Sequence, residues 1–154
     1  MDDAIALGIR RKHSLMIGEA TAERIKVEIG TAQAPPNGVG ATTRVRGRHM
    51  VNGMPAEVEV SQGEIANFLA ELTAQIVEAT LGALEKAEPE LASDIHDQGI
   101  VMTGGGSLLA HLDDVLSKAT GLPVTVAENA LMCVAMGAGR ALEDPIYRGV
   151  LAGA

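Results

Sequence analysis

Residues 99–109 form the segment of the sequence that is best suited to bind a nucleotide. A short apolar segment that predicts a buried strand is followed by Gly104, Gly105, Gly106 and Ser107, and then by an amphipathic helical pattern. Glycines allow positive φ angles and close approach of a ligand to the backbone. A helix start offers unpaired N–H groups and a partial positive charge, which favour phosphate or sugar groups. The spacing matches neither G-x-G-x-x-G nor G-x-x-x-x-G-K-[ST], so a plain strand-to-helix turn is an equal interpretation.

The other side chains that could take part in catalysis or metal binding form no catalytic pattern. The four histidines lack H-x₃-H or H-E-x-x-H spacing, so we expect no metal site. Cys133 lies in an apolar run over 130–136, which favours a buried, inert thiol over a nucleophile. Asp113 and Asp114 are better explained as solvated surface carboxylates than as an acid–base pair. The basic run 10–13 ends a helical pattern, where it either complements the helix dipole or forms a docking patch.

Helical and strand patterns alternate along the chain, which indicates the α/β class. Ile5 and Ile9 are four residues apart and mark the buried side of a first helix. Asn52-Gly53 predicts a turn between two strands, and Ser61 with Glu64 matches a capping box that opens a long helix. The predicted helices span 2–13, 21–30, 62–88, 90–95, 108–120 and 130–142, and the predicted strands span 42–48, 57–60, the short segment before the glycines within 99–103, and 124–126.

Composition excludes several classes of protein. The 154 residues suit one medium domain or two small ones, and 47% of them are apolar although only 1% are aromatic. A net charge of −8 argues against binding to nucleic acid. No apolar run is long enough for a membrane span, and the acidic first residues do not suit a signal peptide. A single cysteine excludes an internal disulfide and fits a reducing cytoplasm.

Several longer segments, in the same order along the chain, resemble the C-terminal part of the MreB family of bacterial actins. The resemblance extends from about Asp2 to the end of the chain, and its order makes it more specific than the glycine run alone. The matching segments are 10–30 (RRKHSLMIGEATAERIKVEIG), 45–48 (VRGR), 89–95 (PELASDI), 100–116, 120–128 (TGLPVTVAE) and 137–143 (GAGRALE).

This resemblance implies that the chain helps to bind ATP with Mg²⁺ through two sets of residues. The first set is Glu23, Arg24, Ile25 and Lys26 on the second helix. Glu23 and Lys26 are three residues apart and share a helix face, where a carboxylate can accept a ribose hydroxyl and a lysine stem can cover adenine. The alternative is a solvated helix with a weak Glu–Lys pair. The second set is the glycine turn, residues 104–107, beneath the adenosine and the first phosphate.

The resemblance also implies an incomplete actin-like ATPase fold (actin/Hsp70/sugar-kinase), of which this chain is the C-terminal lobe. Residues 1–33 and 97–154 then form part of the nucleotide-binding subdomain IIA, and residues 34–96 form the smaller inserted subdomain IIB. The absent lobe would supply the phosphate loops and the groups that hold Mg²⁺, so we expect no ATP hydrolysis by this chain alone. Truncation is the expected explanation, and a short protein that caps filaments is the other. We further expect Ile5 and Ile9 to be exposed, because the first helix would pack on the missing part.

The function implied by the family is that of a subunit of membrane-associated filaments that direct peptidoglycan synthesis and rod shape. Its expected partners are further copies, a RodZ-like membrane scaffold and the cell-wall elongation machinery, without nucleic acid and without direct membrane insertion by this chain. The expected location is the cytoplasm, at the membrane through filament partners. Two alternatives are an actin-like filament protein that positions plasmids or organelles, and half of an Hsp70-type ATPase.

Overall fold

A computed structural model describes residues 1–143 and Ile146. The predicted subdomain segment 97–154 therefore lies partly outside the described residues. No helix among them is both long and apolar enough to cross a bilayer. The elements, in chain order, are α1 (Asp2–His13), β1 (Leu15–Met16), α2 (Glu19–Ile29), β2 (Thr42–His49), β3 (Pro55–Ser61), α3 (Gln62–Leu84), α4 (Pro89–Gln98), β4 (Ile100–Met102), a 3₁₀ turn (Gly105–Leu108), α5 (Leu112–Thr120), β5 (Val124–Val126) and α6 (Cys133–Glu143).

Two small sheets organise these elements and confirm the predicted mixed α/β class. The first sheet is antiparallel with the order β1-β2-β3, and its hairpin turns at Asn52-Gly53, where Gly53 has a φ of 70°. In the second sheet β4 pairs with β5 in parallel, with Ile100 opposite Val124. The hairpin and the parallel return strand are confirmed. The prediction omitted β1, because a two-residue strand has no detectable alternation.

The expectation that Ile5 and Ile9 are exposed is wrong. Both side chains are 0% exposed and belong to the main apolar core. The physical reason is that α1 packs against α2, α3 and β1 of this same chain and needs no further segment to cover its apolar side. Gly8 contributes to this packing, because a Cβ at that position would collide with the ring of Phe68 in α3.

Exposed apolar side chains occur along the described chain, and several of them lie in its C-terminal half. Leu131 is 67% exposed and Val134 is 79% exposed, while Val101 on β4 is 61% exposed. The expectation of a buried thiol in the apolar run 130–136 is therefore wrong: Cys133 is only half-buried, because the described residues leave much of this run uncovered. Its Sγ lies 3.6 Å from the carbonyl oxygen of Asn129.

The helix predicted directly after the glycine turn begins later than expected. A single 3₁₀ turn follows Gly104, and α5 starts only at Leu112, after His111 with a left-handed φ of 62°. The delay arises because the intervening backbone pairs elsewhere: the N–H of Ala32 donates to the carbonyl oxygen of Ala110 at 2.8 Å. Thr31 forms an isolated parallel bridge with the same residue. The end of α2 is thus tied to the segment behind the glycine turn.

Glu64 joins the end of α1 to the start of α3. Its Oε1 lies 2.7 Å from Lys12 Nζ and 2.9 Å from His13 Nε2, and its Oε2 accepts the N–H of Ser61 at 2.7 Å in the predicted capping box. Burial raises the pKa of Glu64, but hydrogen bonds from Lys12, Ser61 and His13 outweigh it and lower the pKa from 4.5 to about 2. Within the basic run, Lys12 therefore forms an ion pair and His13 a hydrogen-bond contact with a carboxylate of this same chain.

We expect Glu64→Gln to lower the free energy of unfolding at neutral pH by roughly 1–3 kcal/mol, because it removes a carboxylate with three partners. A lowered folded pKa stabilises the fold fully above about pH 5 and loses that effect as pH falls towards 2. Urea unfolding of the native chain between pH 7 and about pH 3 should show this decline, and the variant should show less of it. Glu78→Gln, on the exposed face of the same helix, is the matched control. Equal pH profiles for all three chains would contradict this role of Glu64.

Candidate functional site

The glycine turn begins where β4 ends and presents open backbone. Gly104 has a φ of 79° and a ψ of 171°, a conformation that residues with a Cβ rarely adopt. Its N–H donates to the carbonyl oxygen of Ala130 at 2.8 Å, and its own carbonyl oxygen accepts the hydroxyl of Ser107 at 2.7 Å. A Cβ on Gly106 would meet no atom within 4 Å. The turn is therefore held firmly on its protein side and is free of side chains on its open side.

Glu23 and Lys26 form the second surface of the site, on α2. Glu23 is exposed, and the side chain of Lys26 is partly covered. Lys26 Nζ lies 2.9 Å from Oδ1 and 3.0 Å from Oδ2 of Asp2, in the first turn of α1. The ammonium is thus directed at α1, and its four-carbon stem extends along the surface of α2.

These two surfaces line one groove with a volume of about 430 Å³. Glu23 and Lys26 of α2 line this groove together with Gly105 and Gly106 of the glycine turn. The rest of the lining comes from Met1, Gln62 of α3, Leu131 and the segments 27–30 and 108–110. A concave volume of this size with a few polar groups is typical of a small-molecule site.

The structure does not bring all the predicted site residues to this groove. Ile25 is 0% exposed and lies in the core, because successive helical side chains point about 100° apart. Arg24 points away from the groove, where it donates to Glu28 Oε2 at 2.7 Å and to the carbonyl oxygen of Arg44 at 3.4 Å. Ser107 is buried, and its hydroxyl bonds within the turn. Gly104 sets the backbone path but does not line the groove.

Comparison with known proteins places this fold in a family. The model of the MreB/Mbl protein family matches residues 1–147. The chain belongs to the MreB/Mbl family. It is 49% identical over 142 residues to the cell shape-determining protein MreB of Escherichia coli K12, and 43% identical over 136 residues to the cell shape-determining protein Mbl of Bacillus subtilis 168. These alignments cover 92% and 88% of this chain but only 40% of each relative.

Solved structures confirm the actin-like fold of this MreB/Mbl chain. MreB5 of Spiroplasma citri bound to ADP superimposes with a TM-score of 0.87 at 34% identity, covering 97% of this chain and 44% of that protein. The AMPPNP-bound form of MreB5 gives the same TM-score at 33% identity, with 99% and 45% covered. The MamK filament, at 22% identity and a TM-score of 0.67 over 95% of this chain and 44% of MamK, shares the fold alone.

Two residues at or beside the groove of this MreB/Mbl chain have no signal in the sequence: Gln62, which lines it, and Thr31, which bonds to the groove-lining residue Ala110. Thr31 is 0% exposed, and its Oγ1 donates to the carbonyl oxygen of Gln33 at 2.9 Å and lies 3.3 Å from that of Ala110. Gln62 reaches the groove from α3, 36 residues beyond Lys26 in the sequence. Neither residue belongs to a periodic pattern or a motif. Only tertiary packing brings Gln62 to the groove and Thr31 to Ala110.

The remaining candidate groups lie outside the groove. Among residues 1–143 and Ile146, no cluster of three or more His, Cys, Asp or Glu could hold a metal ion. His111 Nδ1 lies 2.9 Å from Asp114 Oδ2, in an exposed pair at the start of α5. Within the described part of this MreB/Mbl chain, the groove brings together four of the eight predicted site residues, namely Glu23, Lys26, Gly105 and Gly106.

Proposed function

We propose that this chain is an adenine-nucleotide-binding part of an actin-like, filament-forming protein that determines cell shape. The observation that carries this proposal is the convergence of Glu23 and Lys26 with Gly105 and Gly106 on one groove. Two findings about similar proteins support it: MreB5 has been solved with ADP and with AMPPNP, and MreB and Mbl are named as cell shape-determining proteins.

In the proposed complex, the groove receives the adenosine part of the ligand. The carboxylate of Glu23 accepts a hydrogen bond from a ribose hydroxyl, and the stem of Lys26 covers one face of adenine. The open backbone of Gly105 and Gly106 approaches the other side, where a Cβ would take up ligand volume. Leu108 and Leu131 add apolar contact at the rim.

The rest of the proposed function depends on more than this chain, which spans 40% of the length of its curated relatives. ATP binds with Mg²⁺, and the groups that hold the metal and the terminal phosphate belong to the other lobe. Further copies assemble into filaments, which act with a RodZ-like scaffold and the cell-wall elongation machinery at the cytoplasmic side of the membrane. Residues 1–33 and 97–154 serve as the nucleotide-binding subdomain, and residues 34–96 as the smaller inserted subdomain.

Calorimetric titration of the chain with ADP tests this proposal, with inorganic tripolyphosphate as the comparison ligand. We expect weak but saturable binding of ADP, because a groove covered on one side leaves the ligand partly exposed. Tripolyphosphate should not bind in the groove. A chain that binds neither ligand, or both equally well, would contradict an adenosine site. Light scattering with a full-length MreB and ATP then tests whether this chain joins filaments.

We expect Glu23→Ala to weaken ADP binding by roughly 10-fold, because a hydrogen bond to a charged group contributes about 1.5–3 kcal/mol. Glu19→Ala is the matched control, since Glu19 is an exposed carboxylate on the same helix but outside the groove. Calorimetry on the three chains at one salt concentration measures the difference. Equal losses in both variants would show that only the net charge of α2 matters, and would remove Glu23 from the site.

A further inference from the structure

Lys26 is the one cationic side chain among the described residues that line the groove, and its charge is already compensated. Asp2 Oδ2 accepts a hydrogen bond from Lys26 Nζ at 3.0 Å. Asp2 Oδ1, which is buried, lies 2.9 Å from the same nitrogen without hydrogen-bond geometry. Asp2 belongs to α1 and Lys26 to α2, so the pair also fixes the position of one helix relative to the other at the groove.

The two glutamates of the groove differ from each other in whether their charge is compensated. Glu28 accepts from Arg24 at 2.7 Å and from Thr43 at 2.9 Å, so its charge is directed to the sheet. Glu23 is left without an ion pair among the described residues. The side chains of the groove therefore supply no uncompensated positive charge, and they do supply one carboxylate. These side chains favour a neutral ligand with hydroxyl groups over a phosphate.

We propose that Asp2 is a positioning residue: it holds Lys26 so that the stem of the lysine, and not its charge, faces the ligand, and the groove thereby selects the nucleoside over the phosphates. This inference rests on the proposed adenine-nucleotide site. It adds that the affinity of this chain comes from adenosine, and that Asp2 determines this preference although it lies at the edge of the site. The phosphates are then left for other groups to bind.

The test compares adenosine and ADP as ligands of the native chain, Asp2→Asn, Asp2→Ala and Asp3→Ala, by calorimetry at low salt. Asp2→Asn keeps an oxygen acceptor for Nζ but uncovers the lysine charge, so ADP should gain about fivefold relative to adenosine. Asp2→Ala also releases the stem, so adenosine binding itself should fall several-fold. Asp3 is an exposed acid in the same helical turn, so Asp3→Ala should leave both affinities unchanged. The α-amino group of Met1 is common to all four chains and cancels in the comparison.

Three results would overturn this inference alone, and the first two are an unchanged ratio of ADP to adenosine affinity in both Asp2 variants and the same change in Asp3→Ala. A parallel loss of both ligands in Asp2→Asn would do so as well, since it would make Asp2 a purely structural residue. Failure of the native chain to bind either ligand would overturn the proposed function together with the inference. Thermal unfolding of each variant confirms that the compared chains are folded.

Discussion

Replacing Gly105 with valine is expected to weaken ADP binding by roughly 10- to 100-fold while the fold is retained. The backbone φ of Gly105 is not positive, so a side chain causes no strain there. A Cβ at this position would lie 3.2 Å from Leu131 Cδ2, which is tighter than ordinary contact, and both residues line the groove. Overpacking of this kind costs about 1–3 kcal/mol, and here the displaced partner is the ligand.

Gly82→Val is the matched control for this substitution. Gly82 lies in α3, and a Cβ there would meet no atom within 4 Å. Calorimetric titration with ADP and circular dichroism on both variants separate a loss of binding from a loss of structure. If Gly105→Val binds ADP as tightly as the Gly82 variant does, the glycine turn does not form a wall of the ligand site.

The glycine turn and the return strand β5 were predictable because each has a local sequence signal. Three adjacent glycines after an apolar segment indicate a turn, and the return strand over 124–126 follows a Gly-x-Pro stop. The capping box at Ser61 was predictable for the same reason, since Glu64 stands at the required spacing. The start of α2 was placed two residues late, because its N-cap is Gly18, which has no side chain to signal the cap.

The composition of the groove was only partly predictable. Family resemblance supplied the contiguous stretch 23–26, but a helix presents contiguous residues to different sides, so Arg24 and Ile25 face away. The role proposed for Asp2 depends on a contact between α1 and α2 across 24 residues, which no motif encodes. The delay before α5 depends similarly on the backbone of Ala110 pairing with Ala32. These features follow from tertiary packing and become visible only in the structure.

Truncating Ile9 to alanine is expected to lower the free energy of unfolding by about 2–5 kcal/mol, the range for large-to-small substitutions in a packed core. Ile9 is 0% exposed and lies in the core that α1 forms with α2 and α3. The net stability of a domain is only about 5–15 kcal/mol, so this one change removes a large part of it. Urea unfolding followed by circular dichroism measures the difference.

Leu7→Ala is the matched control, because it truncates an exposed apolar residue on the same helix. Leu7 is on the same helix but is 43% exposed, and we expect its truncation to cost less than about 1 kcal/mol. A large difference between the two variants requires that α1 is packed within this chain, since nothing else in solution would bury Ile9. Equal, small effects would mean that α1 is loose here and that its apolar side needs another lobe. In that case Asp2 would not hold Lys26 either, and the groove would lose one wall together with the helix that positions it.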